Sequence, residues 1–369
     1  MKICILTQPF GSNYGGLLQA YALQKVLRDM GHDVTTLRFK PLLYRAPSTL
    51  NLYWQTFRRF LSRLRGNKNI IRCNPTTESA YYFEVCRELE RFIDTNIHYL
   101  RVDTPVDRKK LPEFDLFLVG SDQVWRPVYS PFLPNFYLDF LGDSDAKRVA
   151  YAASFGVDVW ETDEDTTQII KPLAQRFDAI SVREDSGIRL CKDYLGVDAS
   201  VMPDPTLLLK KDNYLDLVNT QHLPPQEKPY IATYILDPCD DISRLTEQFS
   251  NENNLPLIKI GQFNWTTGAD SVESWLNGIA NAQYVITDSF HGTVFSLIFQ
   301  KNFITFNNTN RGSSRFNSIL TAFSLNDRLI EPHTVETMVI DPIDYSRVSP
   351  VLATLREKGL AYLKILPRL

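Results

Sequence analysis

Residues 2–39 read KICILTQPFGSNYGGLLQAYALQKVLRDMGHDVTTLRF, and this stretch decides the fold class. Residues 2–7 form a short apolar run that passes straight into a loop of small and polar residues, Gly11-Ser12-Asn13-Tyr14-Gly15-Gly16. Over residues 15–30 the apolar positions recur at helical spacing until Gly31 ends the pattern, and residues 33–39 read as a second strand. Strands that alternate with helices in this way build a parallel sheet.

The alternation continues outward. Further strands are expected at residues 115–119, 148–153 and 179–182, with helices near 77–97, 164–177 and 185–195. Pro203 and Pro205 punctuate the chain, and a polar, proline-bearing stretch at 223–229 precedes a second run of alternation. There the spacing predicts strands at 230–236, 257–260, 284–287 and 303–306 and helices at 241–251, 271–281 and 293–299. From Ser349 a Ser-Pro start opens a closing helix with Val351, Leu352, Leu355, Tyr362 and Leu366 near one face. The organisation that follows is α/β: a Rossmann-like domain over residues 1–205, a second over 228–345, and a closing helix over 346–369.

Composition agrees and narrows the function classes. At roughly 150 residues per domain, 369 residues suffice for about two, each with its own core. Hydrophobic residues at 44% and charged residues at 22% belong to a folded protein and exclude a disordered one. Forty Lys and Arg against 43 Asp and Glu leave a net charge of −3, which argues against a nucleic-acid partner and makes any anion preference local. Cys4, Cys73, Cys86, Cys191 and Cys239 are odd in number and scattered, so neither a disulfide framework nor a metal site is expected, and a cytoplasmic location fits. The first residues lack the apolar stretch and cleavage site of a signal peptide, and no 18 apolar residues run together.

One segment departs from the plan. Between residues 40 and 72 stand eight basic residues (Lys40, Arg45, Arg58, Arg59, Arg63, Arg65, Lys68 and Arg72) and no Asp or Glu. Tyr53, Trp54, Phe57, Phe60, Leu61 and Leu64 recur there at helical spacing, which reads as a basic amphipathic insertion. Such an insertion suits peripheral contact with an anionic inner membrane face or a clamp on a phosphorylated, lipid-linked acceptor; equally, it suits aromatics packed on the N-terminal domain with arginines in water.

In an open α/β sheet, ligands bind beyond the carboxyl ends of the strands, where helix N-termini offer free N–H groups. Four loops there are rich in small and polar residues: Gly11–Gly16, residues 120–125 (GSDQVW), residues 154–156 (SFG) and residues 287–292 (TDSFHG). None is a dinucleotide or P-loop glycine motif. His291, at a strand-to-helix turn, can act as a general acid or bind an anion. Arg183 ends an apolar strand, where a guanidinium can grip a carboxylate or phosphate; a salt bridge to Glu184 or Asp185 is the plainer alternative. Arg311 and Arg315 can add positive charge from the second domain or stand in a solvated turn. Asp122 and Asp288 are candidate bases or hydroxyl binders, or caps of the following helices. His32, His98, His222 and His333 have no partner spacing and read as structural.

With these residues in view, the chain resembles the polysaccharide pyruvyl transferase family. The resemblance rests on residues 13–23 (NYGGLLQAYAL), 120–125, 151–156 (YAASFG), 181–184 (SVRE), 204–206 (DPT), 287–292 and Ser314-Arg315, in one order over about 300 residues. It implies a GT-B-like fold, phosphoenolpyruvate as donor substrate with no further cofactor, a sugar or lipid-linked oligosaccharide as acceptor, and a pyruvate ketal as product. On that reading His291 is the acid or phosphate ligand and Arg183 and Arg315 neutralise the donor. Asp122 or Asp288 handles the acceptor hydroxyl, and Asn13, Gly15, Gly16, Ser121 and Ser289 help to line the substrate site. Many members carry Arg-x-His where this chain has Ser289-Phe290-His291, and a triple glycine where it has Gly120-Ser121-Asp122; either Arg311 or Arg315 replaces the missing charge, or the donor is a different one. The competing reading is a nucleotide-sugar glycosyltransferase, which needs a nucleotide-binding carboxylate such as Asp270 or Glu273. A two-lobed binding protein without catalysis is a third.

Overall fold

A computed structural model describes residues 1–39, 84–130, 132–221, 223, 228–264 and 267–366. The insertion expected at 40–72 and the first part of the helix expected at 77–97 lie outside these residues. The first sheet has seven parallel strands: β1 (Lys2–Leu6), β2 (Asp33–Phe39), β3 (Tyr99–Val102), β4 (Leu116–Val119), β5 (Lys147–Ala153), β6 (Ala179–Val182) and β7 (Ser200–Val201). They run in the order β3-β2-β1-β4-β5-β6-β7. The central strands β1 and β4, KICIL and LFLV, are apolar almost throughout because helices cover both faces of the sheet. The described helices of this part are α1 (Tyr14–Asp29), α2 (Arg87–Asn96), α3 (Glu164–Ala174) and α4 (Asp185–Leu190).

After α5 (Lys211–Asn219), a second parallel sheet of five strands follows. It comprises β8 (Ile231–Tyr234), β9 (Leu257–Lys259), β12 (Tyr284–Thr287), β13 (Asn302–Phe306) and β14 (Leu329–Ile330), in the order β14-β13-β12-β8-β9. A small antiparallel pair, β10 (Phe263–Asn264) and β11 (Gly268–Ala269), stands apart. Its helices are α6 (Asp240–Asn253), α7 (Val272–Ala280), α8 (Phe290–Ile298) and α9 (Ser314–Ala322). The last helix, α10 (Tyr345–Lys364), leaves the second lobe and returns to the first. Tyr345 Oη donates to the Ser296 carbonyl at 3.3 Å near its start, and Arg356 donates to the Leu209 carbonyl at 3.1 Å. Near its end Tyr362 packs on Tyr151 with ring centroids 5.8 Å apart. No helix among the described residues is long and apolar enough to cross a membrane.

The two lobes share one apolar cluster that runs from β1 and α1 to α7 and α8. Its joint is Tyr14, whose ring stacks on Trp275 at 5.7 Å while its hydroxyl donates to the Asp270 carbonyl at 2.9 Å. Burial of a tyrosine ring with its hydroxyl satisfied makes such a joint stiff. The start of α1 is therefore fixed against the second lobe.

Two boundaries differ from the sequence reading in ways that matter. α8 starts at Phe290 rather than Thr293, because Ser289 is its N-cap and accepts from the Gly292 amide at 3.4 Å. His291 thus stands in the first turn of the helix and not in the loop before it. α10 starts at Tyr345 under an Asp344 cap that accepts from Ser346 at 3.0 Å, so Pro350 falls inside the helix and the Ser-Pro pair is not its start. The strand β3 and the helices α5 and α9 are absent from the reading above; β3 is half-exposed and carries Arg101, so no apolar run marks it.

Candidate active site

The loops at the carboxyl ends of both sheets meet in a cavity of about 260 Å³. The first lobe brings Gln8, Asn13, Asp122 and Tyr129 to its wall, and the second brings Tyr234, Asp288, Ser289, Phe290, His291, Arg311 and Arg315. Three of the four loops singled out in the sequence supply Asn13, Asp122 and residues 288–291 of this wall. The fourth, residues 154–156, sits behind the wall. Glu184 Oε1 holds it through Ser154 Oγ at 3.0 Å and the amides of Phe155 and Gly156 at 2.8 and 3.1 Å.

His291 is 5% exposed. Its Nε2 is fully buried without a hydrogen-bond partner and lies 3.6 Å from Asp204 Oδ2, while the other edge of the ring lies against Gly15. A Cβ on Gly15 would overlap Nδ1 and Cγ of the imidazole, so this position of α1 has room only for glycine. Gly16 is less constrained: a Cβ there would come 3.2 Å from Asn13 Nδ2 and 3.4 Å from Asp122 Oδ2, which places Asn13 and Asp122 side by side at the entrance of α1.

Arg183 is buried, but not in the plainer way that its sequence allows. Its Nη1 donates to Asp204 Oδ2 at 2.7 Å and its Nη2 to Asp122 Oδ1 at 3.4 Å, and neither Glu184 nor Asp185 is its partner. It lies behind Phe290, with Cζ 4.7 Å from the ring centroid, and is not part of the cavity wall. Burial pulls its pKa down, and the charges of Asp204, Asp122 and Glu184 raise it above the ordinary value in spite of that. Arg183 thus stands behind the wall and supports it through Phe290.

Arg315 is different. It lines the cavity, is 6% exposed and has no carboxylate partner among the described residues; Nη2 donates to the Arg311 carbonyl at 2.5 Å, and Nε has no hydrogen-bond partner among them. Its Cζ lies 5.5 Å from the Phe290 ring on which Arg183 also packs. Burial and then the neighbouring Arg183 charge push its pKa down to about 10, still cationic at neutral pH. The charges of Asp122 and Glu184 offset this only in part, and a buried guanidinium without a direct ion pair is the arrangement that a bound anion relieves. Arg311, by contrast, is held bidentate by Asp237 at 2.6 and 3.1 Å, and this pairing holds the Asp237 carboxyl below the usual range despite partial burial.

Two other expectations change. Asp288 lines the cavity, yet both its oxygens are committed, to the amides of Leu236 at 2.6 Å and Asp237 at 2.9 Å and to Asn308 Nδ2 at 3.0 Å. It ties the β8 loop to the β12 loop, and burial raises its carboxyl in spite of those donors. Asp122 is the more available carboxylate. Ser121 does not face the cavity: it is fully buried, its Oγ donating to the Ala152 carbonyl at 2.9 Å and its amide to Gln19 Oε1 at 3.1 Å. The two carboxylates that a nucleotide reading would need are also engaged. Glu273 is buried against Arg91 at 2.9 Å, and Asp270 accepts from the Gln262 amide at 2.9 Å.

Asp204, Asp237, Phe290 and Tyr129 were not assigned roles from sequence. A signal existed for Asp204: it sits in Pro203-Asp204-Pro205-Thr206 just past β7, where a carboxylate capping a following turn is at a strand's carboxyl end. Asp237 and Tyr129 carried none, since each belongs to an ordinary polar loop.

Fold and cleft together define a two-lobed α/β protein whose buried positive charge suits an anionic ligand. A profile of the polysaccharide pyruvyl transferase family matches residues 13–310, and the chain belongs to that family. Comparison with curated proteins returns no significant sequence match. Among solved structures, the UDP-GlcNAc 2-epimerase from Neisseria meningitidis, bound to UDP-GlcNAc, is similar at 8% identity and a TM-score of 0.48, covering 99% of this chain and 94% of that one. The UDP-GlcNAc 2-epimerase from Methanocaldococcus jannaschii is similar at 11% identity and a TM-score of 0.45, covering 100% of both chains. MurG from Acinetobacter baumannii is similar at 8% identity and a TM-score of 0.39, covering 100% of this chain and 99% of that one.

Proposed function

We propose that this protein transfers the pyruvyl group of phosphoenolpyruvate to two hydroxyls of a sugar, forming a ketal during surface (exopolysaccharide) polysaccharide synthesis. The observation that carries the reading, beside family membership, is Arg315, a buried cavity-wall cation that has no carboxylate partner among the described residues and shares the wall with a buried imidazole. Arg315 receives the phosphate or carboxylate of the donor, and Arg311 a hydroxyl or a second anionic oxygen at the rim. His291 protonates the enol carbon, the acceptor hydroxyl adds to the resulting electrophilic carbon, and a second hydroxyl then displaces phosphate. Asp122 orients the acceptor. Arg315 also stands in for the arginine that Ser289 lacks.

Binding to the native state raises the melting temperature, by about 2.7 kcal/mol of stability at 100 times the dissociation constant. Phosphoenolpyruvate is expected to stabilise the wild-type protein in a thermal shift measurement, and Arg315→Gln to lose most of that shift. Stabilisation by UDP or GDP instead would transfer the assignment to nucleotide-sugar chemistry.

The charge of residues 40–72 supports a place for the reaction at an anionic membrane face, where a lipid-linked acceptor would be met. Co-sedimentation with vesicles containing anionic lipid is expected at low salt and is expected to fade above physiological salt. Equal recovery in the supernatant at low salt would remove this part of the proposal.

A further inference from the structure

Asp204 has no part in the chemistry set out above, yet it is a fully enclosed charge beside the cleft, 1% exposed. Its Oδ1 accepts from the Thr206 amide at 3.0 Å and from Thr206 Oγ1 at 2.7 Å. Its Oδ2 accepts from Arg183 Nη1 at 2.7 Å and faces His291 Nε2 at 3.6 Å. Asp204, Arg183 and Gly15 belong to the first lobe, at the ends of β7 and β6 and at the start of α1, whereas His291 stands on α8 of the second. The imidazole of one lobe is therefore seated in a socket made by the other, with glycine below one edge and a carboxylate before the other. Tyr14 stacked on Trp275, one residue from Gly15, holds the two halves of the socket in register.

The chemistry of the socket is one-sided. An ionised carboxylate only accepts hydrogen bonds, so the ring nitrogen that faces it carries the proton, and the neutral imidazole keeps its lone pair on the other nitrogen. We infer that Asp204 is a positioning residue that holds a proton on His291 Nε2 and so reserves Nδ1 for proton exchange in the cleft. The use of Nδ1 rests on the pyruvyl-transfer reading; the tautomer does not. In that reaction the imidazolium, protonated at both nitrogens, gives its Nδ1 proton to the enol CH2 carbon, the C=C electron pair forming the new C–H bond. The acceptor hydroxyl oxygen then bonds to the adjacent carbon and its proton returns to Nδ1, so that the ring ends as the imidazolium it began as, with Nε2–H facing Asp204 throughout; the second hydroxyl then displaces phosphate, which leaves with that hydroxyl's proton.

The test is a long-range 1H–15N spectrum of the full-length protein labelled at its five histidines, with His291→Gln to assign the signal. The expected result is a proton on Nε2 of His291 in both the neutral and the protonated ring. A neutral ring bare at Nε2, or the mixed tautomers of a free imidazole, would overturn the inference without any variant of Asp204. Asp204→Ala supplies the converse: with no carboxylate before Nε2, the neutral ring is expected to lose its single tautomer, with turnover down about 10²-fold or more and the midpoint for phosphoenolpyruvate little changed. A neutral ring that keeps its proton on Nε2 alone in a folded Asp204→Ala protein also overturns it. Absence of a thermal shift with phosphoenolpyruvate would remove the pyruvyl-transfer reading and leave the tautomer result intact, so the two failures are distinct.

Discussion

His291→Gln is expected to slow phosphate release from phosphoenolpyruvate, in the presence of the acceptor sugar, by about 10²–10⁴-fold, the range a positioned general acid contributes. Glutamine can fill the socket between Gly15 and Asp204 and donate a hydrogen bond, but it cannot deliver a proton to carbon. Because Nε2 makes no hydrogen bond within 3.5 Å in the native protein and the ring otherwise packs against Gly15 and edge-on to Phe290 at 5.2 Å, the melting temperature is expected to move by only a few degrees. The split between binding and turnover decides the role. A residue acting only in the transition state leaves the phosphoenolpyruvate-induced thermal shift in place while kcat falls. Loss of that shift together with kcat would make His291 a phosphate ligand instead, and full turnover in a folded variant would remove it from the site.

Arg183→Ala carries the largest expected loss of stability. The guanidinium and Asp204 are both buried, 2.7 Å apart, and removing one member strands the other charge in the protein interior. Breaking a buried pair in this way costs about 3–5 kcal/mol, roughly 4–6 °C of melting temperature for a protein of this size. The pH dependence has a definite sign. Burial pushes the Asp204 carboxyl up, but His291, Arg183 and Thr206 together hold it well below the usual carboxylate range. A carboxyl depressed in the folded state stabilises that state fully above its unfolded value of about 3.9, and the contribution is lost as pH falls through the depressed value. Without Arg183 burial has less opposing it, so Asp204 takes up a proton at higher pH. The melting-temperature gap between wild type and variant is therefore expected to be widest near neutral pH and to narrow as pH falls toward 3. A gap that stays constant or widens over that range would show that the pair is not the source of the difference.

Much of this site was legible one loop at a time. The alternation of residues 2–39 announces a parallel sheet because period-two and period-3.6 burial are written directly into the order of apolar residues. The same order points to Asn13–Gly16, Asp122 and His291, since loops at the carboxyl ends of parallel strands must face the ligand side. What could not be read was which charges neutralise each other. Arg183 has acidic neighbours at 184 and 185, yet its partners are Asp204 and Asp122, 21 and 61 residues away. Arg311 finds Asp237, 74 residues away, which leaves Arg315 as the cavity-wall arginine with no ion-pair partner among the described residues. Asp288, which looked available in its loop, is tied through three donors drawn from two other loops.

Local order therefore dictates the α/β class, the positions of most strands and helices, and which loops carry chemistry, because backbone periodicity and capping act over a few residues. Folding across the two lobes dictates the rest: that His291 on α8 sits against Gly15 and Asp204, that Arg183 serves the wall rather than the cavity, and that Arg315 is left as its unpaired cation. Electrostatic pairing and burial depend on distances in space, and residues far apart in the chain set those distances only when both sheets are packed around the shared core.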